Sequence, residues 1–213
     1  GFWMVQWFKD QFGSDEVREA AGRGVAPEQL FDEMIADIPA GSLGLTLQPY
    51  WTPGIRMPGR EAKGAIIGFG DVHTRKHVYR AILEGLAYGL REGAERIERR
   101  SGVSMRRLRI SGGGSQSEQA MQITADVFGR PTERPHTFET SALGAAMNVA
   151  VGMGIVRDHH EAVARMTRPG KLFTPNPAAV RTYDDLYRRV YQPMYGRLQP
   201  LYQAIREITG YPR

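Results

Sequence analysis

Leu108-Arg109-Ile110-Ser111-Gly112-Gly113-Gly114-Ser115-Gln116-Ser117-Glu118 is the stretch on which the reading of this chain turns. A short β-prone run ends in three consecutive glycines, and a helical pattern follows at once, with Met121, Ile123, Val127 and Phe128 as its apolar positions. The pattern predicts a strand, a tight turn and a helix from about Ser115. Glycine has no Cβ, so it tolerates positive φ and lets a ligand lie against bare backbone. The first N–H groups of a helix have no internal partner and attract anions. Together these parts read as a nucleotide cradle; the alternative is that the glycines only let strand and helix pack closely.

Around this stretch, 213 residues with 41% hydrophobic content suffice for one sizeable core with appended helices. No run approaches the roughly 18 apolar residues of a membrane span, and Gly1-Phe2-Trp3-Met4-Val5 lacks the features of a signal peptide. With no cysteine there are neither disulfides nor thiolate metal sites, which fits a reducing cytoplasm. The net charge of +5 suits an anionic partner, and ATP is one. Basic residues in 75–107 and 181–207 alternate with acids, as on solvated helix faces, so nucleic acid is not expected as a partner. Because Trp3, Val5, Trp7 and Phe8 enter an apolar pattern directly, the chain reads as the C-terminal part of a longer protein.

Upstream of the glycines, residues 2–12 predict a helix stopped by Gly13, followed by a polar stretch containing Gly22 and Gly24. Pro27 opens a second helix, with Leu30, Phe31, Met34 and Ile35 at helical spacing. Leu43, Leu45 and Leu47 alternate as in a half-buried strand, residues 49–63 predict a loop, and 64–70 predict a short buried strand. Thr74 suits the N-cap of a long helix to about Arg100, with Val78, Ile82, Leu86, Leu90 and Ile97 as its core face. Gly85, Gly89 and Gly93 lie in register beside that face and predict close approach by another backbone.

Downstream, Pro131 to Pro135 predicts an extended piece, and Thr140 to Met147 opens a helix whose small residues predict close packing. Asp158 and Glu161 have capping-box spacing; His159 and His160 then point about 100° apart, which disfavours a shared metal. Asn176 and Pro177 start the last helical region, which Pro193 and Pro200 should kink or divide. Its tyrosines, from Tyr183 to Tyr195, predict an amphipathic face on the core, with part of the stripe free to serve a homo-oligomer contact.

A Walker loop is excluded because Gly114 is followed by Ser115 and not by Lys. Gly112-x-Gly114-x-x-Ser117 is one residue from a dinucleotide fingerprint, with Glu133 about 20 residues on, but mostly helix follows. A nicotinamide-binding oxidoreductase domain is therefore the second reading, and a non-catalytic interaction module that only binds partners the third. No catalytic elbow, zinc or calcium motif is present. For Glu84 and Glu92, ion pairs with Arg80 and Arg96 are the expected role.

In order, the segments resemble the C-terminal domain of the FGGY carbohydrate kinases, the family of glycerol kinase, xylulokinase and ribulokinase. Gln6-Trp7-Phe8-Lys9-Asp10, Leu47-Gln48-Pro49-Tyr50, Gly64 to Gly68, Arg80 to Tyr88, Ser111 to Ser117, Ala125 to Gly129 and Thr140 to Ala146 each resemble a family segment at family-like spacing. The resemblance implies an α/β fold: a ribonuclease-H-like, actin-like ATPase half-domain with a mixed sheet flanked by helices and a C-terminal helical extension. It implies a nucleotide-binding domain over 1–156 and an extension over 157–213 packed on it, with the sugar-binding domain outside this sequence. It further implies a cytoplasmic enzyme that uses ATP and Mg2+ to phosphorylate a sugar or polyol. Gly112, Gly113, Gly114, Ser117 and Gln6 are the implied nucleotide-binding residues. No catalytic or metal-binding residue is expected here, since the resemblance puts the general base upstream of Gly1. Two departures stand out: Gly1 lies one residue upstream of the family's phosphate glycine, and Gly54-Ile55-Arg56-Met57-Pro58 replaces an acid of the xylulokinase-type loop with Ile55.

Overall fold

Trp3, Met4, Trp7 and Phe8 recur at helical spacing and form α1 (Trp3–Phe12), which buries Met4 and Phe8 completely. The computed structural model describes residues 3–52 and 58–211; Gly1 and four residues of the departing loop, 54–57, lie outside the described residues. The polar stretch after Gly13 forms α2 (Ser14–Arg23), with Asp15 and Glu16 in its first turn and Gly24 in the left-handed conformation at its end. Then follows α3 (Pro27–Met34), opened by its proline. Phe8, Phe31 and Tyr79 pack edge-on or tilted, with ring centroids 4.9 to 5.9 Å apart, and form one end of the core.

The leucine alternation over-reads the first strand. Leu43 sits in a 3-10 turn with φ 55° and is exposed, and β1 spans only Thr46–Gln48, flanked by buried Leu45 and including buried Leu47. It pairs antiparallel with β2 (Ala65–Ile67), which is half-exposed and not buried, because no other strand covers its outer edge among the described residues. Thr74 caps α4 (Arg75–Ser101) in a reciprocal pair with His77. Residues 79–88 of α4 are buried on every side, whereas Leu90 and Ile97 are exposed, since the elements packed on this helix cover its first half. A Cβ on Gly85 would sit 2.5 Å from the Leu47 carbonyl oxygen; one on Gly89 would make ordinary contacts, and one on Gly93 would meet nothing. Backbone approach thus explains Gly85 alone.

The second sheet is mixed. The strands β3 (Leu108–Arg109) and β4 (Thr132–Arg134) are parallel, and β4 pairs antiparallel with β5 (Lys171–Phe173), a strand the sequence pattern does not reveal. The helix α5 (Glu118–Phe128) crosses between the first two and packs on α4, with Met121, Ile123 and Val127 buried. Strand order β3-β4-β5 with a reversed last strand is not a doubly wound dinucleotide fold. Next, α6 (Thr140–Gly152) buries only Ala150; Ala142, Ala145 and Ala146 face outward, so the close packing expected of its small residues is not made within this chain.

The Asp158 side chain caps α7 (His159–Met166), and Asn176 caps α8 (Pro177–Leu186). A π-helical turn over Tyr187–Tyr191 then leads without a break into α9 (Gln192–Thr209). The prolines do not divide this region. Pro193 has no N–H and crowds the preceding turn; the widened turn just before it, closed by Gln192 N–H to Tyr187 O, provides room. The tyrosine stripe packs on the core as expected: Tyr183, Tyr187 and Tyr191 gather around Tyr88 at centroid distances of 6.2, 5.8 and 5.1 Å. These three rings belong to the same buried cluster as Phe8 and Ile82, so residues after 157 complete the core that residues before 156 begin.

Candidate functional site

The glycine turn is built by the strand that enters it. Ile110 N–H donates to Glu133 O, and Gly112 N–H donates to Phe138 O, which fixes where the chain leaves β3. Gly112 then adopts φ 92° and ψ 175°, a conformation essentially open only to glycine. One 3-10 turn, Gly113–Gln116, follows, closed by the N–H and the hydroxyl of Ser115, which both donate to Gly112 O at 3.0 and 2.7 Å.

Ser117 is the N-cap of α5, which therefore starts three residues later than the sequence predicts. Its Oγ accepts from Ala120 N–H at 2.9 Å and donates to Asp32 Oδ1 at 2.6 Å, while Asp32 Oδ2 accepts from Gln119 N–H at 3.3 Å. The first-turn amides of α5 are thus engaged within the chain, and an anion-attracting helix end, as expected from the sequence, is not available there. Burial raises the Asp32 carboxyl above its ordinary value, opposed by the hydrogen bonds from Ser117 and from the Gln119 and Glu118 amides.

A cavity of about 370 Å³ opens between this turn and α1, and it brings Gln6, Gly113, Gly114 and Ser117 together. Val5, Ala26 and Tyr79 give it an apolar side, and Glu28 and Gln116 complete the lining. Gly112 is not part of the lining; it is the pivot that presents Gly113. A Cβ on Gly113 would meet no protein atom within 4 Å, so nothing in the protein requires glycine there for packing. The Gln6 side-chain amide donates to Asp10 Oδ1 at 2.7 Å, and Glu28 accepts from Lys9 at 3.0 Å. Burial, then the nearby charges of Asp32 and Glu28, keep the Tyr79 phenol protonated. Asp32, Glu28 and Tyr79 are functional candidates that sequence reasoning missed, since no local pattern in the sequence marks them.

This lining contains no cationic side chain and one carboxylate. It therefore suits the nucleoside end of a nucleotide: apolar walls and bare backbone for a flat ring, acceptors for its donor groups, and no counter-charge for a triphosphate. On the other side of the turn, a second cavity of about 390 Å³ carries Arg109, His136 and Arg168, and Ser111 Oγ lies 2.8 Å from Thr140 Oγ1 at its edge. It holds none of the five implied nucleotide-binding residues. Among the described residues, no group of three or more His, Asp or Glu side chains could hold a metal ion, and no helix is long and apolar enough to cross a membrane. Glu84 and Glu92 make the expected pairs with Arg80 and Arg96, at 2.9 and 3.3 Å.

Residues 3–153 match the family model for the C-terminal domain of the FGGY family of carbohydrate kinases. An uncharacterised sugar kinase of Escherichia coli is 31% identical over 194 residues, covering 91% of this chain and 39% of its own length. The glycerol kinase of Pseudothermotoga lettingae is 34% identical over 185 residues, covering 87% of this chain and 35% of its own. The crystal structure of xylulose kinase from Rhodospirillum rubrum superposes with a TM-score of 0.74 at 31% identity, over 93% of this chain and 38% of that one. The chain thus spans less than two fifths of the length of these relatives.

Proposed function

Because the chain belongs to the FGGY family of carbohydrate kinases and matches their C-terminal domain, we propose that it is the nucleotide-holding half of an enzyme that transfers the γ-phosphoryl group of ATP, with Mg2+, to a sugar or polyol hydroxyl. The observation that carries this reading is the cavity in which Gln6, Gly113, Gly114 and Ser117 converge, with Gly112 as the pivot behind them. Bound Mg-ATP would supply the electrophilic phosphorus and ADP as leaving group. The residues of this chain hold and orient the nucleoside: Gly113 and Gly114 offer backbone, Val5, Ala26 and Tyr79 exclude water, and Gln6 and Ser117 fix orientation by hydrogen bonds.

The nucleotide-binding unit runs over 1–156, and 157–213 forms the helical extension packed on it; the sugar site and general base lie in the remaining length of the relatives. The outward face of α6, with Ala142, Ala145 and Ala146 uncovered, suits close packing by that remainder. ATP supply and the lack of cysteine support a cytoplasmic setting.

Calorimetric titration of this chain with ADP tests the reading, with Gly113→Val as the control. The branched side chain would fill the space where the ligand meets backbone, yet it touches no protein atom at its Cβ. Loss of binding with an unchanged melting temperature is expected; an unchanged affinity would mean that the glycines serve only the turn.

A further inference from the structure

The cavity of about 390 Å³ on the far side of the glycine turn is the opposite in charge of the nucleoside cavity: Arg109, His136 and Arg168 stand on its lining, and no carboxylate does. The strand β3 supplies Arg109, the loop after β4 supplies His136 and the segment before β5 supplies Arg168, so three separate parts of the chain bring nitrogen donors to one place. Arg168 donates its backbone N–H to His136 Nδ1 at 3.1 Å, while its guanidinium has no partner among the described residues. With Nδ1 an acceptor, the neutral imidazole carries its hydrogen on Nε2 and can donate it. Arg109 gives only Nη2 to Glu133, at 3.1 Å, and keeps its other N–H groups. Arg107 lies 3.9 Å from the same Glu133 oxygen, so this one carboxylate faces two guanidiniums. The hydroxyls add donors. Ser111 Oγ and Thr140 Oγ1 share one hydrogen across 2.8 Å, so whichever donates, the other still has a hydrogen to give. Thr137 Oγ1 accepts from Glu139 N–H at 3.2 Å, which leaves its own hydrogen.

We propose that this second cavity is an anion site for a phosphate group, either free or at the end of a small phosphomonoester. A lone guanidinium here would be ordinary surface charge. Two of them, with an imidazole N–H and hydroxyl donors in one concave site, match the several acceptor oxygens and the double charge of phosphate. Leu143, Pro135 and Pro169 form an apolar flank, which would take the carbon part of a monoester. Neither Gln6 nor any of residues 113–117 lines this cavity, so phosphate uptake here and nucleoside uptake on the other side of the turn stand or fall separately.

The test titrates this chain with inorganic phosphate and with glycerol 2-phosphate at constant ionic strength, by calorimetry and by amide shifts. Shifts are expected at Ser111, at Thr137 to Ala142 and at Arg168. Arg168→Ala should weaken binding by about ten-fold or more, the size of one hydrogen bond to a charged group, with an unchanged melting temperature because that guanidinium holds nothing in the fold. Arg189→Ala removes an exposed cation outside the cavity and should change the affinity by no more than about two-fold, since solvent screens a distant charge. Tighter binding of the ester would assign a monoester as the occupant, and equal or weaker binding would assign free phosphate; both support the site. Uptake of neither compound, a loss in Arg168→Ala no greater than in Arg189→Ala, or shifts confined to Gly113 to Ser117 would overturn it.

Discussion

The carbonyl oxygen of Leu47 lies 2.5 Å from where a Cβ on Gly85 would stand, and the Leu47 Cδ2 lies 2.8 Å from the same point. The long helix and the first strand therefore meet backbone to backbone, and α4 is pinned against β1 at the level of the core. Gly85→Ala should destabilise the protein by about 1–3 kcal/mol, because the overpacking exceeds the helix propensity gained. Gly93→Ala in the same helix, where a Cβ meets nothing, should instead stabilise by up to about 1 kcal/mol. Urea denaturation of the two variants checks the contrast, and equal shifts would show that the two glycines do the same work.

At the turn that precedes β1, a second tie is electrostatic. Glu84 is fully buried and accepts from Arg80 Nε at 2.9 Å, Tyr183 Oη at 2.7 Å, Ser42 Oγ at 2.9 Å and Gly41 N–H at 3.0 Å. Burial pushes the carboxyl up, and these donors, Arg80 first, pull against it. The carboxylate fastens Ser42, whose φ of 49° is unusual for a residue with a side chain. Glu84→Ala should cost about 3–5 kcal/mol, since it leaves the Arg80 charge buried without its partner. Replacing both Arg80 and Glu84 with Met should cost less than Glu84→Ala alone, and a double-mutant cycle by chemical denaturation measures the difference.

What was legible in the sequence followed from local necessity. Three glycines after a β-prone run required a turn, and the tyrosines repeated at helical spacing, so each reading needed only neighbours along the chain. Other features depend on distant partners. The helix α2 shows in the sequence only as a polar stretch, because an arginine from α4 helps to hold it. Lys171-Leu172-Phe173 is a strand because β4 pairs with it, and its composition is unremarkable. Spacing identified the face of α4 that carries Leu90 and Ile97 but not that its neighbours end before reaching them. Nothing around Asp32 signals that its partner is a helix cap 85 positions later.

The α2 tie also sets a pH dependence. Arg75 donates to both Glu16 oxygens at 2.7 and 2.8 Å, and to Phe12 O at 2.9 Å, joining the start of α4 to α1 and α2. The Arg75 hydrogen bond holds the Glu16 carboxyl below its ordinary value. A carboxyl lowered by folding binds protons less readily in the native state, so its contribution is present above the unfolded value and is lost as pH falls through the folded one. Glu16→Gln should therefore cost no more than about 1 kcal/mol at pH 7, as for other exposed pairs, and nothing once the pH is below both values. Melting temperatures of the two proteins should converge on acidification; a constant gap would assign the effect to packing.

The division of labour within the proposed kinase gives the last expectation. The cavity that gathers Gln6, Gly113, Gly114 and Ser117 has no cationic side chain in its lining, and the described residues contain no cluster able to hold a metal. Affinity for a nucleotide should then come from the nucleoside. AMP and ADP should differ by no more than about five-fold, what one solvent-exposed charge contact contributes, and magnesium should change neither appreciably. Binding should also be weak, because a half-site lacks the closure that excludes water and strengthens polar contacts. For the same reason the chain by itself should consume no ATP in the presence of sugars or polyols. It spans 39% and 35% of two full relatives, and in-line transfer needs base, hydroxyl and phosphate held together. Titrations of AMP and ADP with and without magnesium, followed by amide shifts at Gly112 to Ser117, measure the first part, and a coupled ATPase assay measures the second. A tight site strictly dependent on magnesium would mean that this chain holds the metal and the phosphates itself, and sugar-dependent ATP consumption would mean that it is a kinase unaided.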